Sequence, residues 1–474
     1  MIGYHSPARA CCTAVMALSL LAAGCSGSGS ATTATQQPGV ATGVVSVTPA
    51  ALLSSITTAT SNPLNIARSL GGWEWVSFIS TFGVLLGNIT YTLEMQKVTY
   101  QSTGADGLPH TMSGLLILPK AVSGVKPVVP ILMYQHGTEP FRLYSPSRFL
   151  AHMDRPADYP EVMVAAAIAS TGYAVAMADY EGLGDNTSPQ PYVHGTSLAQ
   201  QVIDMLRASR NLIAETVSPC SWNRQLFLMG YSEGGYVTMA TTRELQFKHA
   251  AEFTVTASAP LSGPHDLSGT MRTLILSGSA SKAPYFLPFL LSGYNYAYGG
   301  QTNLFSPLSA MVSPYNVTVP PKFDGNWPSD TISEAMGMIF NPVSLIVPRS
   351  VLTPTFTALL ATDTLPGSAF DFLRRNDSYR VSQSDTTTWK PTVPIRMYHH
   401  RSDELVPFAN SQVAFNAFST AGAKNHVPKG PGVELVEETV SLIISPTDPV
   451  RTVHVGAAFP ELSNGWKWLN GFKQ

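Results

Sequence analysis

A serine flanked by glycines is the first feature of this sequence that could do chemistry. Residues 230–234 read Gly-Tyr-Ser-Glu-Gly, the pattern G-x-S-x-G. Glycines on both sides of Ser232 relieve crowding at a sharp turn, so its hydroxyl can project from the edge of a sheet. An apolar run at 225–229 precedes the motif, and a helix-like stretch follows it. This strand–turn–helix context favours a catalytic nucleophile at Ser232 over an ordinary Gly-rich turn.

The acid that would support this serine is predicted at Asp403. A serine needs a base to take its proton, and the base needs a carboxylate to orient it. In this architecture the chain order is serine, acid, histidine. Asp403 lies just after a short strand-like run at 394–398, where a carboxylate can face the serine. Glu404 is its nearest competitor, and a solvated turn aspartate is the other interpretation.

The base is predicted at His454. His399 and His400 precede the acid, so their order is wrong, and His426 precedes the last predicted strand at 433–439. His454 follows that strand and leads into a helix-like stretch around Trp466. The position of His454 in the chain, after the acid and the last predicted strand, supports its choice as the base. Its residue type alone does not, because a lone histidine is more often structural.

The oxyanion of an acyl-transfer reaction needs two converging N–H donors. One is predicted to be the backbone N–H of Glu233, the residue after the nucleophile. The other is predicted in the loop 135–139, which reads Gln-His-Gly-Thr-Glu after a buried strand. There we favour the Thr138 N–H, with Gly137 second. The alternative is a plain turn that contains a histidine and a glycine.

The elements that must position these residues alternate between strands and helices. Strand-like runs lie at 95–102, 110–118, 128–134, 173–178, 225–229 and 253–259, and helical patterns lie at 161–170 and 198–217. Such alternation predicts an α/β fold with a mostly parallel central sheet and helices on both faces. The first two strands are joined by a hairpin at 104–107.

The alternation stops near Asp266 and resumes at 394. The intervening residues are rich in aromatics, prolines and glycines, and we interpret them as a cap inserted over the carboxyl edge of the sheet. The predicted organisation is a signal segment at 1–24, a flexible tether at 25–43, an N-terminal extension at 44–93, a first core part at 94–266, a cap or lid at 267–390 and a second core part at 391–474.

The amino terminus resembles an export signal. Arg9 is followed by an uncharged, mostly small and apolar run that is too short to span a bilayer. The run ends in Leu-Ala-Ala-Gly before Cys25, which resembles a bacterial lipobox with the cysteine as the acylated residue. We expect an exported lipoprotein of the bacterial cell envelope, in membrane contact through a lipidated Cys25, or alternatively a plainly secreted protein.

Composition narrows the function classes. The 474 residues carry a formal net charge of −2, and only 12% are charged. This balance excludes a strongly basic nucleic-acid binder and a highly acidic solvating chain. The four cysteines, Cys11, Cys12, Cys25 and Cys220, do not form a disulfide scaffold, and no pair has the spacing of zinc ligands.

With these residues in place, the chain resembles the α/β-hydrolase superfamily. Within it, the sequence is most similar to the secretory lipase and esterase type with a large cap insertion, over roughly residues 94–472. The resemblance rests on the His-Gly pair at 136–137, the motif at 230–235, Asp403 and His454. It implies a triad of Ser232, Asp403 and His454 and no metal or organic cofactor. Tyr231 departs from many lipases, which carry histidine there, whereas several related aminopeptidases and esterases carry tyrosine.

The function expected from this resemblance is hydrolysis of carboxylic esters through an acyl-enzyme. The aromatic, weakly charged cap suggests an apolar or lipid ester as substrate, although these aromatics could simply form the cap's own small core. A peptidase or amidase on the same fold is a second interpretation. A non-catalytic envelope lipoprotein that binds or scaffolds is a third, from a different class.

Overall fold

The structure is a computed structural model that describes residues 39–61, 89–340, 343–385, 387–439 and 452–474. The predicted signal segment at 1–24, Cys25 and most of the predicted tether lie outside the described residues.

A nine-stranded sheet, with strand order β1-β2-β3-β5-β4-β6-β7-β10-β11, runs through the described part of the chain. Its strands are β1 (Val40–Val47), β2 (Thr92–Thr103), β3 (Pro109–Lys120), β4 (Val128–Gln135), β5 (Ala174–Ala178), β6 (Ser221–Tyr231), β7 (Ala257–Leu261), β10 (Pro394–His400) and β11 (Gly432–Glu438). The pairs from β1 to β5 along this order are antiparallel, and every later pair is parallel. A separate two-stranded sheet pairs β8 (Ile339–Phe340) with β9 (Val343–Ser344).

Helices cover both faces of the sheet. They are α1 (Pro49–Ser61), α2 (Pro160–Ala169), α3 (Gly195–Ala214), α4 (Glu233–Lys248), α5 (Arg272–Leu276), α6 (Phe286–Tyr298), α7 (Pro307–Ala310), α8 (Tyr315–Thr318), α9 (Ser329–Ala335), α10 (Pro354–Thr362), α11 (Ala369–Arg375), α12 (Ala409–Thr420) and α13 (Val453–Asn470). Short 3-10 or π turns occur at Arg142–Tyr144, Pro146–Ala151, Pro156–Asp158, Leu267–Met271, Pro320–Phe323 and Pro348–Val351. None of the helices within the described ranges has the length and apolar character needed to cross a membrane.

Strand β4 shows why both faces of the large sheet are buried. Successive side chains of a strand point to opposite faces, so an apolar strand must be covered twice. Ile131 and Met133 pack into one hydrophobic core, which also contains buried residues of α3, and Leu132 and Tyr134 pack into the other, which contains α2 and part of α13. The predicted sheet with helices on both faces is therefore confirmed.

The chain between β7 and β10 contains helices α5 to α11 and the small β8–β9 sheet. Aromatic side chains of this insertion pack on one another: the Tyr298 ring centroid lies 4.6 Å from that of Phe372, and the Tyr294 centroid lies 5.2 Å from that of Phe305. These rings belong to the same hydrophobic core as one face of the large sheet. The insertion is thus continuous with the core, and part of its aromatic content serves packing.

Two elements differ from what the sequence pattern suggests. Strand β1 begins inside the predicted tether. The sequence pattern does not indicate this strand, because β1 lies at the edge of the sheet and its mostly exposed side chains show no hydrophobic alternation. Strand β7 begins at Ala257, later than the predicted run at 253–259. The Phe253 N–H instead donates to the His249 carbonyl and closes the turn after α4.

Candidate active site

Ser232 lies between β6 and α4 with its backbone in an unusual conformation. Its φ is +61° and its ψ is −124°, a region that residues other than glycine rarely adopt. The Ser232 N–H donates to the Leu261 carbonyl of β7 at 3.0 Å, and the Ser232 carbonyl accepts from the Tyr236 N–H of α4. These bonds hold the turn, so the side chain leaves the sheet at its carboxyl edge.

The glycines around Ser232 permit this turn because neighbouring backbone leaves no space for a Cβ. A Cβ on Gly230 would lie 2.5 Å from the Gln135 carbonyl oxygen, and one on Gly234 would lie 2.0 Å from it. A Cβ on Gly235 would lie 2.1 Å from the Leu261 carbonyl oxygen. The start of α4 is therefore pressed against the ends of β4 and β7.

The structure brings the three residues of the predicted triad together. His454 Nε2 lies 2.8 Å from Ser232 Oγ, and His454 Nδ1 lies 2.5 Å from Asp403 Oδ2. All three residues are buried. His454 lies in the first turn of α13, whose N-terminus is capped by the Thr452 hydroxyl accepting from the Val455 N–H.

Asp403 is held as a carboxylate by donors on several sides. Its Oδ1 accepts the Leu405 and Val406 N–H groups at 3.0 and 2.9 Å, while Oδ2 faces His454. Burial by itself opposes ionisation, but the neighbouring His454, together with hydrogen bonds from His399 and His454, lowers the pKa of Asp403 below its usual range. An ionised Asp403 can orient the imidazole of His454 and stabilise its protonated form.

The competing histidine His399 lies beside Asp403, with its Nε2 3.4 Å from Asp403 Oδ2, but its shortest contacts and those of Glu404 are to other groups. His399 uses Nδ1 toward Ser411 Oγ and Nε2 toward the Val406 carbonyl, both at 2.7 Å. Glu404 accepts the Val453 N–H with its two oxygens, at 3.0 and 2.9 Å. Glu404 therefore anchors the start of α13 instead of contacting the imidazole of His454.

Tyr231, the departure from many lipases, has a positioning contact that the sequence motif does not reveal. Its hydroxyl donates to the His454 backbone carbonyl at 2.5 Å, and the two ring centroids lie 5.0 Å apart. The residue beside the nucleophile thus also holds the backbone of the predicted base.

The loop after β4 lies beside the nucleophile. A Cβ on Gly137 would lie 3.8 Å from the Ser232 Cβ. The Gly137 N–H donates to the Glu161 carboxylate, whereas the backbone N–H groups of Thr138 and Glu233 have no acceptor within the part of the chain that the structure describes. Of the three predicted donors, Thr138 and Glu233 thus have N–H groups available for an oxyanion, and Gly137 does not. Burial raises the pKa of the Glu233 side chain to about 8, so it adds little negative charge there at neutral pH.

A cavity of about 390 Å³ opens beside Ser232. Its lining is largely apolar and comes mainly from the insertion between β7 and β10; it includes Leu267, Met271, Ile275, Phe286 and Leu290. The charged residues in the lining are Lys282 and Glu404, whose nitrogen and oxygen lie 3.6 Å apart. The cavity can therefore take an apolar group that ends at the Ser232 hydroxyl.

Comparison with known proteins gives consistent matches. A family model described as secretory lipase matches residues 157–281. A protein of Legionella pneumophila aligns with a TM-score of 0.68 at 23% identity, covering 92% of this chain and 98% of that one. The rice cell wall degrading esterase LipA of Xanthomonas oryzae aligns with a TM-score of 0.67 at 23% identity, covering 91% and 96%. Lipase A of Candida antarctica aligns with a TM-score of 0.52 at 16% identity, covering 74% and 73%. No curated protein matches the sequence.

The chain has the α/β-hydrolase fold. The predicted resemblance to the secretory lipase and esterase type is confirmed by the family match and by these neighbours. In this hydrolase fold the serine turn, the loop after β4 and the start of α13 meet at the carboxyl edge of the sheet, where ligands bind in open α/β sheets.

A buried acid, Glu461, lies behind this candidate site, and its protonation state has an effect on stability that can be measured. Glu461 of α13 is fully buried and accepts the Ser262 hydroxyl at 2.9 and 3.1 Å. Burial, with a smaller contribution from the negative charge of Asp403, raises the pKa of Glu461 to about 8. At neutral pH Glu461 is thus mainly protonated, while nearby Asp403 is ionised.

We predict that Glu461→Gln stabilises the protein more at pH 8 than at pH 5. The unfolded carboxyl titrates near 4.5 and the folded one near 8, so the folded state binds more protons between these values and loses stability as pH rises. Glutamine does not titrate, so the Glu461→Gln protein lacks this loss of stability at high pH. Urea unfolding of both proteins at the two pH values measures the difference, with the exposed Glu215→Gln as control. An equal effect of Glu461→Gln at both pH values would contradict the prediction.

Proposed function

We propose that this protein is a serine hydrolase that cleaves carboxylic esters, with Ser232 as nucleophile, His454 as base and Asp403 as the orienting acid. The observation that carries the proposal is the continuous contact from Asp403 through His454 to the Ser232 hydroxyl. The secretory lipase match and the esterase and lipase neighbours support ester hydrolysis as the reaction.

The reaction would proceed through an acyl-enzyme. His454 Nε2 removes the hydroxyl proton of Ser232 while Ser232 Oγ attacks the carbonyl carbon of the ester. The N–H groups of Thr138 and Glu233 then donate hydrogen bonds to the oxyanion that forms. The tetrahedral intermediate collapses as His454 protonates the leaving alcohol. Water, activated by the same imidazole, then attacks the acyl-enzyme and releases the carboxylic acid. Asp403 stays ionised and stabilises the imidazolium in both halves.

The cavity supports an apolar acyl group as part of the substrate. Each methylene transferred from water to such a lining contributes about 0.8 kcal/mol, so a longer acyl chain gains binding energy beside Ser232. Glu404, the acid in the lining, already binds the Val453 N–H and lies near Lys282. This arrangement favours a lipid ester over a peptide whose free amine needs an acidic group.

We predict that Ser232→Ala or His454→Ala lowers kcat for p-nitrophenyl butyrate by roughly 10⁴-fold or more, because the residues of a triad act as a unit. Asp403→Asn should lower it strongly as well, since the imidazole loses its charged partner. Steady-state kinetics on the purified mature protein provide the measurement, with the exposed Ser123→Ala as control. Turnover equal to that of the unmodified protein in either alanine variant would remove the proposed triad.

We predict that the protein prefers octanoyl to acetyl esters, and that Ile275→Trp reduces this preference about tenfold by filling the cavity. The loss should appear in kcat/KM for p-nitrophenyl octanoate, while the acetate value stays within about twofold, because a short acyl group needs little of the apolar lining. Leu308→Trp, at an exposed position of the same insertion, is the matched control. A strict preference of the unmodified protein for acetyl esters would rule out a lipid substrate.

We also propose that the protein is exported and acylated at Cys25. The secretory lipase description and the signal-like segment before Cys25 support this localisation. We expect a palmitate label on the protein in a bacterial host and its partition into a detergent phase, both lost in Cys25→Ser and retained in Cys12→Ser. An unlabelled protein in the culture medium would instead indicate plain secretion.

A further inference from the structure

The loop that supplies the proposed oxyanion donor contains a glycine at its centre. Gly137 lies between His136 and Thr138, and it has no Cβ to restrict its backbone. A loop built on glycine keeps one orientation of its N–H groups only if other groups hold its peptide planes. The contacts of these peptide planes therefore decide whether the Thr138 N–H faces Ser232.

Two side chains hold the peptide planes on either side of Gly137. The Gly137 N–H donates to Glu161, with its oxygens at 3.0 and 3.2 Å. The Gly137 carbonyl accepts from His136 Nδ1 at 2.7 Å. Because N–H and C=O of a trans peptide point to opposite sides, the bond to this carbonyl directs the Thr138 N–H away from the His136 ring.

Glu161 comes from a different element than the loop. It lies in the first turn of α2, and one of its oxygens also accepts the Tyr134 hydroxyl of β4 at 3.1 Å. Glu161 thus ties the loop to a helix and to a strand that are both packed in the core. Burial raises the pKa of Glu161, whereas the neighbouring His136 and the hydrogen bond from the Gly137 N–H lower it. The acids across the loop are Glu139 and Glu233, and burial raises the pKa of each to about 8.

We propose that Glu161 is a positioning residue for the oxyanion hole: by binding the Gly137 N–H it fixes the loop so that the Thr138 N–H points at the reacting carbonyl oxygen. The proposal rests on the proposed function. Without this carboxylate the peptide before Gly137 can rotate, and the donor at Thr138 leaves the site part of the time. The contribution of Glu161 should therefore appear in the transition state and not in substrate binding.

The test compares Glu161→Ala, Glu161→Asp and Glu161→Gln in the full-length protein. Loss of one oxyanion donor typically costs about 10²–10³-fold in kcat, so we expect Glu161→Ala to lower kcat for p-nitrophenyl butyrate by about 100-fold with KM within about threefold. Glu161→Asp, whose shorter side chain draws the carboxylate away from Gly137, should lose activity in part. Glu161→Gln keeps an oxygen acceptor for the Gly137 N–H and should retain most of the activity.

A second readout separates positioning from general damage. An alkylboronic acid forms a tetrahedral adduct with a serine nucleophile and places an oxygen in the oxyanion hole, whereas the product carboxylic acid binds in the ground state. We expect Glu161→Ala to weaken boronic acid inhibition by a factor close to its loss in kcat, with inhibition by butyrate nearly unchanged. Asp371→Asn, which removes a buried carboxylate of α11 that binds arginines, is the control for stability.

The outcomes distinguish the two proposals. An active unmodified protein with undiminished kcat in both Glu161→Ala and Glu161→Asp overturns the positioning role alone. A parallel loss of boronic acid and butyrate binding, or an equally inactive Glu161→Gln, also overturns it, because the site is then damaged as a whole. An unmodified protein that hydrolyses no ester overturns the proposed function itself.

Discussion

The backbone of Ser232 is the constraint on which the rest of the site depends. A non-glycine residue at a φ of +61° is strained, and the strain persists only because the surrounding structure fixes it. The Leu261 carbonyl holds the Ser232 N–H, and α4 begins one residue later. Three glycines allow this helix to press against β4 and β7, where any Cβ would collide with a carbonyl oxygen. The sheet, in turn, must be parallel here so that the ends of these strands meet at one edge.

The other side chains of the site are held by contacts that cross between distant parts of the chain. Tyr231 of the serine turn binds the His454 carbonyl, and Glu404 of the loop after β10 binds the N–H just before His454. These two bonds fix the start of α13 from both sides. The surroundings also separate the charge states of two nearby acids: hydrogen bonds and the histidines keep Asp403 ionised, while burial keeps Glu461 protonated. The contacts within the folded chain therefore fix both the positions of the site's side chains and the protonation states of these two acids.

Much of this arrangement could be predicted from the sequence. The parallel strands appear as apolar runs, and the motif around Ser232 follows one of them, so the fold prediction is confirmed. The structure brings Ser232, Asp403 and His454 together, although their catalytic roles stay a prediction. What the sequence did not reveal has physical causes. Strand β1 is exposed and lacks a periodic pattern, and Glu161 and Tyr231 act through contacts that exist only after folding. The insertion between β7 and β10 has many short elements whose packing depends on long-range contacts and not on local pattern.

The most direct test of the proposed serine hydrolase site is the crystal structure of the protein after reaction with an alkyl fluorophosphonate. We expect phosphorus bonded to Ser232 Oγ, a phosphoryl oxygen about 2.7–3.1 Å from the backbone nitrogens of Thr138 and Glu233, and the alkyl chain in the apolar cavity. A protein that does not react, or an adduct on another residue, would contradict the claim that these residues form a serine hydrolase site.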